Sequence, residues 1–383
     1  MSEFEENAVE AVEATETSPV KKPFIKKKAT IAAAVAGVLV IAGVVGVNAF
    51  RNKPEVRLAT AFSNLFNDKD ISVGVSMQMT PEFLAASGMT DTQVQDMGRP
   101  GITTVEDAAK ALGLVELRIS NYDLSATDDK LSSELQLMYG DKSVIDLSLI
   151  DRVLYLSTDA MTLPDQSPQL VTQEEVDGVM SALQMYASFA PQLSGAIDAM
   201  TTGKAVALRF EKGTPLGDAF DQYTQESQKS ALNSKTIDAF KDANTTAIRN
   251  SATIKEVDNS DDESQLLAID LSIDMYKYMK EMEKPLTELA KDQLEVLGTD
   301  ISGTSKNYLK EIKSLKGKTL NIRTWIDDSN EFSRIDIDLS GLAADLNADK
   351  WDVVVRIHFT PSDIQVPADY YDLTEDLLSL GLI

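Results

Sequence analysis

Ile71-Ser72-Val73-Gly74-Val75-Ser76-Met77-Gln78-Met79 alternates an apolar side chain with a small or polar one at every step. That period of two places the apolar set on one face of a strand, the pattern of a sheet with one dry side and one wet side. Upstream, Val56, Ala59, Phe62, Leu65 and Phe66 recur at helical spacing, so a short amphipathic helix precedes the strand. Downstream, residues 81–113 mix apolar runs with Ser, Gly and Pro punctuation and predict a helical excursion at the mouth or edge of the sheet. The strand signal then returns over residues 114–123, 131–139, 144–149 and 153–157. Turn residues at Thr127-Asp128-Asp129 and Gly140-Asp141 join neighbouring runs, which predicts an antiparallel meander.

The pattern becomes helical after Val171. Thr172 followed by Glu175 has the spacing of a capping box, and Val176, Met180, Leu183, Tyr186 and Phe189 follow at roughly helical intervals before Pro191. Residues 204–210 read as another strand and residues 213–250 as polar helices. Residues 252–257 and 266–273 form a predicted hairpin around Asp258-Asn259-Ser260-Asp261-Asp262-Glu263, a loop without the central Gly of a calcium-binding hand and read as a solvated turn. A helical stretch over 275–297 carries Tyr278, Met279, Met282, Leu286, Leu289 and Leu294, with Pro285 bending or restarting it. Leu320, Ile322, Thr324 and Ile326, then Ile335, Ile337 and Leu339, then Val353, Val355, Ile357 and Phe359 supply three closing strands.

At the other end of the chain, residues 29–50 are uncharged and long enough to cross a hydrocarbon core as one helix. Residues 1–28 are acidic at first and poor in aromatics, a composition that leaves them disordered. Lys21, Lys22, Lys26, Lys27 and Lys28 precede the apolar run, against Arg51 and Lys53 behind it. That bias predicts a single-pass signal anchor in the cell membrane, with a cytoplasmic tail and an extracytoplasmic head over residues 51–383. A cleaved signal peptide ending at Ala49 is the competing reading, disfavoured by the long segment before the apolar run. Ala33 with Gly37, and Ala42 with Gly46, have the spacing that permits a homodimer through the span.

The 383 residues carry a formal net charge of −25 and no cysteine. Such a surface repels nucleic acid and anionic headgroups, and the chain has no disulfide, thiol nucleophile, thiolate metal site or lipid-attachment cysteine. His358, the single histidine, sits mid-strand on the face opposite Ile357 and Phe359, with no local Ser and Asp partners for a triad. Phosphate-binding and dinucleotide-binding glycine patterns are missing, and the many acidic residues make any chosen carboxylate pair uninformative. The reading is therefore non-enzymatic, with no cofactor and no metal.

Thr324-Trp325-Ile326-Asp327, Phe332 to Ile337, Val353 to Phe359 and Ile364-Gln365-Val366-Pro367, together with the opening helix and strand, resemble the mycobacterial LppX and LprG-like envelope lipoproteins, relatives of the LolA-type carriers. The resemblance covers both ends of the head and departs from that bacterial family in lacking the acylated cysteine. It implies an α+β fold: a curved antiparallel sheet forming a half-barrel, covered by helices and here preceded by one transmembrane helix. It further implies binding or carriage of a lipid or other hydrophobic molecule in the cell envelope. The candidate lining residues are Val75, Met77, Met180, Tyr186, Met279 and Met282, chosen because Met and aromatic side chains adapt to irregular ligands. The alternative is a surface interaction module that binds a wall polymer or a protein.

Overall fold

The computed structural model describes residues 54–67, 71–120, 132–158, 171–230, 234–257, 266–296, 313–342 and 351–379. Ten helices are described: α1 (Pro54–Asn67), α2 (Pro81–Ala86), α3 (Asp91–Asp96), α4 (Val105–Gly113), α5 (Gln173–Phe189), α6 (Ser194–Thr201), α7 (Pro215–Ser230), α8 (Ser234–Ser251), α9 (Met275–Val296) and α10 (Thr374–Ser379). The strands are β1 (Ile71–Met79), β2 (Val115–Ser120), β3 (Ser132–Tyr139), β4 (Lys142–Ile150), β5 (Val153–Ser157), β6 (Ala205–Arg209), β7 (Ala252–Val257), β8 (Leu267–Asp274), β9 (Thr319–Ile326), β10 (Phe332–Asp338), β11 (Val353–Pro361) and β12 (Tyr370–Asp372).

All twelve strands belong to one sheet in the order β12-β6-β5-β4-β3-β2-β1-β11-β10-β9-β8-β7. Every pairing is antiparallel except that of β12 with β6. The predicted meander is β2 to β5, and the predicted hairpin is β7 with β8. The centre of the sheet joins distant parts of the chain: β1 pairs with β11 over nine residues, from Ile71 opposite Pro361 to Met79 opposite Val353.

Local chemistry explains several helix starts. Thr80, Thr90, Thr104 and Thr172 each occupy an N-cap in extended conformation and accept a hydrogen bond from a first-turn amide, with capping boxes at Thr90, Thr104 and Thr172. The β4–β5 hairpin turns through Asp151 and Arg152, both at positive φ, 48° and 67°. Arg152 is buried there and anchored: its Nε donates to the Phe210 carbonyl, its guanidinium also meets Asp221, and it lies over the Phe220 ring.

The main core lies between α1, α8 and α9 and the apolar face of β8 to β11. Leu58, Ala61, Ala247, Tyr278 and Met282 pack there against Ile269, Leu271, Ile322, Ile335, Ile337 and Ile357. The Tyr278 hydroxyl enters this core with its own partner, donating to Asn244 Oδ1 at 2.8 Å. At the far end α6 sits on the same face, with Ala196 and Ala199 against Val206 of β6, and α5 packs on α6 through Val176, Met180 and Ile197.

Two expectations need correction. The fold is an open sheet, not a half-barrel covered by helices: β7 and β12 are its opposite edges, because β6 and β7 are separated in sequence by α7 and α8 and emerge at the two ends of the strand order. Covering helices pack on β8 to β11 and on β6, and β1 to β4 carry exposed apolar side chains between them. Secondly, among the described residues no helix is long and apolar enough to cross a membrane. The longest, α9, is interrupted by several Lys and Glu. The expected span, residues 29–50, lies outside the described residues, as does the acidic loop at 258–263. The single-pass signal anchor, and the placement in the cell membrane that followed from it, therefore have no helix in the described structure and are set aside.

Candidate functional site

The register of the sheet lines up its apolar side chains into rows that cross many strands. Phe359 of β11 is opposite Val73, Val73 opposite Ile119, Ile119 opposite Leu135, Leu135 opposite Leu147, Leu147 opposite Leu156 and Leu156 opposite Val206. A second row runs from Ile335 through Ile357, Val75, Leu117 and Leu137 to Ile145. Successive side chains point to alternate faces, so both rows lie on the same side. That side carries the main core beneath α1, α8 and α9.

The second row changes environment along its length. Ile335 is fully buried and Ile357 nearly so, whereas Val75, Leu117 and Ile145 are exposed. With Met77, Ile119 and Leu135 they form a patch of six side chains exposed between 37 and 43 %. A contiguous apolar patch on a sheet face is a binding-surface signature, in contrast to scattered surface leucines. Completing the burial of a Val, Leu, Ile or Met side chain is worth ~1.5–3 kcal/mol from full exposure, so covering the remaining two-fifths of six such chains makes ~4–7 kcal/mol available to an apolar occupant.

Helices frame this patch. On one flank stands the α1, α8 and α9 core, and on the other α6 with α5 stacked on it. One end is closed by α2, α3 and α4, whose Leu84, Val94, Val105 and Ala109 pack with Met79 and Phe83. Val171, just ahead of α5, packs at that same end on the buried pair Tyr139 and Val144, against which Val115 and Leu137 also pack. Arg99 ties the two parts of this end wall together, its guanidinium donating to both Glu175 oxygens at 2.5 and 2.9 Å. Those bonds, with the Thr172 amide, hold the Glu175 carboxyl down at about 2. Between α2, α3 and α4 lies a shallow notch of about 410 Å³, lined by Pro81, Ala85, Met89 and Val105 with Glu82, Thr90 and Asp91.

The opposite face of the sheet is a ladder of charges. Asp336 receives paired hydrogen bonds from Arg334 and Arg356, Arg323 grips Asp270 at 2.6 and 2.8 Å, and Arg118 binds Glu116. The Arg334 guanidinium lies 3.7 Å from the Trp325 ring centroid. His358 lies on this face with Gly74 and Arg334 as register neighbours, and burial lowers its pKa. Burial also raises the Glu134 carboxyl, against the Ser148 hydrogen bond. Among the described residues no group of three or more His, Cys, Asp or Glu side chains is placed to hold a metal ion.

The structure divides the six residues picked from the sequence. Val75 and Met77 stand on the exposed sheet patch. Met279 and Met282 belong to the filled core under α9, Met282 with no exposed surface at all. Met180 is buried between α5 and α6, and Tyr186 projects outward from α5 beside Val179, Met185 and Phe189. Leu117, Ile119, Leu135 and Ile145 were missed. The runs at 114–123 and 131–139 alternate as clearly as β1, and the dry face of that alternation is the signal that finds them. No protein-family model matches the chain, and no curated protein matches it.

Proposed function

We propose that this chain is a non-enzymatic binding protein that takes up a lipid or other hydrophobic molecule against the uncovered half of its sheet. The observation that carries the reading is the apolar row from Val73 through Ile119, Leu135 and Leu147 to Leu156, unbroken by any polar side chain. At ~4.8 Å between strands, those five strands offer about 19 Å of apolar floor, a length that suits an extended hydrocarbon chain. The resemblance to LppX and LprG-like lipoproteins points the same way. A net charge of −25 argues for an occupant whose apolar part is bound and whose headgroup, if anionic, stays clear of the protein.

A specific feature favours a second reading, an interaction module for a protein or wall polymer. Val179, Met185, Tyr186 and Phe189 form an exposed apolar stripe on α5, with Phe189 82 % exposed. Helix stripes of this kind serve protein partners. Extraction of the purified full-length protein with organic solvent, followed by mass spectrometry, separates the two. Acyl-bearing molecules recovered near one per chain, and lost on mutation of Leu117 and Leu135, support the first reading. A clean extract from protein that also fails to take up a fluorescent fatty acid refutes it and leaves the interaction module.

A further inference from the structure

Strand β11 ends at Pro361 and β12 begins at Tyr370, yet the two lie seven positions apart in the sheet. In a flat sheet seven spacings amount to about 33–34 Å. The register adds a lengthwise offset, because Tyr370 pairs with Ala205, one residue from the row that holds Phe359, and Pro361 lies two residues beyond Phe359 in the other direction. The nine peptide units between Pro361 and Tyr370 reach at most ~30–32 Å when fully extended, and residues 368 and 369 are bends that shorten them. Twist alone leaves the separation of the strand axes unchanged, so the sheet between β11 and β12 is bent. Residues 362–369 form the chord of that bend. They pass on its concave side, since a path around the convex side is longer than the chain.

The far end of this chord is hooked down by the side chains of the C-terminal segment. Tyr371 enters a notch over Gly195, where a Cβ would come within 2.2 Å of its hydroxyl oxygen, and that hydroxyl donates to Asp376 at 2.5 Å. Arg209 donates to Asp372 at 2.5 Å and to the Tyr370 hydroxyl at 3.0 Å, Lys204 pairs with Asp369 at 2.9 Å, and Leu373 packs with Ala196, Ala199 and Val206. The near end is continuous with β11, which is paired on both sides by β1 and β10.

We propose that residues 362–369 are a tether that sets the curvature of the sheet, holding the β12 edge toward β11 and so fixing the width of the concave face between them. The proposal does not depend on what that face binds. Because the chain has no cysteine, two labels report on it directly in the full-length protein. Glu211→Cys and Asp328→Cys place spin labels at exposed positions after β6 and between β9 and β10, on the two sides of the chord. Inserting Gly-Ser-Gly between Val366 and Pro367 adds up to ~10 Å of contour. Pulsed dipolar spectroscopy then reads an increase of at least ~5 Å in the mean label separation, with a broader distribution. Gly195→Ala, which displaces the Tyr371 ring without altering the chord, gives the same direction of change. A distance distribution unchanged by the insertion, in protein whose circular dichroism matches the parent, overturns the proposal.

Discussion

Replacing Leu117 and Leu135 together by serine tests the proposed binding face most directly. Both side chains project from the uncovered part of the sheet, exposed to 43 and 39 %. Covering the exposed two-fifths of a leucine is worth ~0.6–1.2 kcal/mol, so the double variant forfeits ~1.2–2.4 kcal/mol of ligand binding, a loss of about 7- to 50-fold in affinity. The already buried parts of the two leucines support the fold, and losing them costs ~1–2 kcal/mol of stability each. The two quantities are measured separately, by titration with a fluorescent 18-carbon fatty acid and by urea unfolding followed by circular dichroism. Leu112→Ser provides the control, since Leu112 is equally exposed but projects from α4, off the face. The expected result is a weakened titration for the double variant and an unchanged one for Leu112→Ser. If the double variant remains folded and binds within twofold of the parent, the apolar rows are not the site.

Three further predictions concern the frame around that face. Arg152→Ala removes a buried guanidinium that satisfies the Phe210 carbonyl and Asp221, and leaves that carboxylate without its partner; urea unfolding is expected to show a loss of ~2–4 kcal/mol. Gly195→Ala drives out the Tyr371 ring, and limited proteolysis is expected to clip the C-terminal segment faster than in the parent while the remaining fragments are unchanged. Glu175 has a depressed folded-state pKa of about 2, so its contribution is complete above the ordinary carboxylate range near 4.5 and is lost as pH falls through 2. Hydrogen exchange at the start of α5 is therefore expected to rise between about pH 4.5 and 2 in the parent, and Arg99→Gln, which removes the largest cause of the shift, moves that rise upward in pH.

The elements were legible because their periods are short. Alternation at Ile71 to Met79 and at Leu320 to Ile326 fixes a strand and its dry face from side chains a few residues apart, and the Thr172 to Glu175 spacing marks a helix start in the same local way. Strand order carries no such signal: nothing near Val353 says that β11 lies between β1 and β10. Cover is equally silent. Val75 and Ile335 alternate alike and lie in one row, yet one is exposed and the other buried, because α1, α8 and α9 pack over only part of the face. Methionine content misled for the same reason. Met77 and Met282 both sit on apolar stripes, and only the tertiary arrangement makes the first surface and the second core.

The pairing of β1 with β11 also sets a timetable for biosynthesis. About 280 residues separate the end of β1 from the end of β11, and at ~5–20 residues per second a ribosome needs roughly 15–60 s to make them. Once β2 has emerged, β1 has a neighbour on one side and nine unpaired residues on the other until β11 follows, an edge open to any passing strand. The middle of the finished sheet is thus joined late, after β2 to β10 have been made, with only the β12 pairing to β6 still to follow. A holding chaperone that shields Ile71 to Met79 until Val353 to Pro361 emerges raises the folded yield by protecting that one strand.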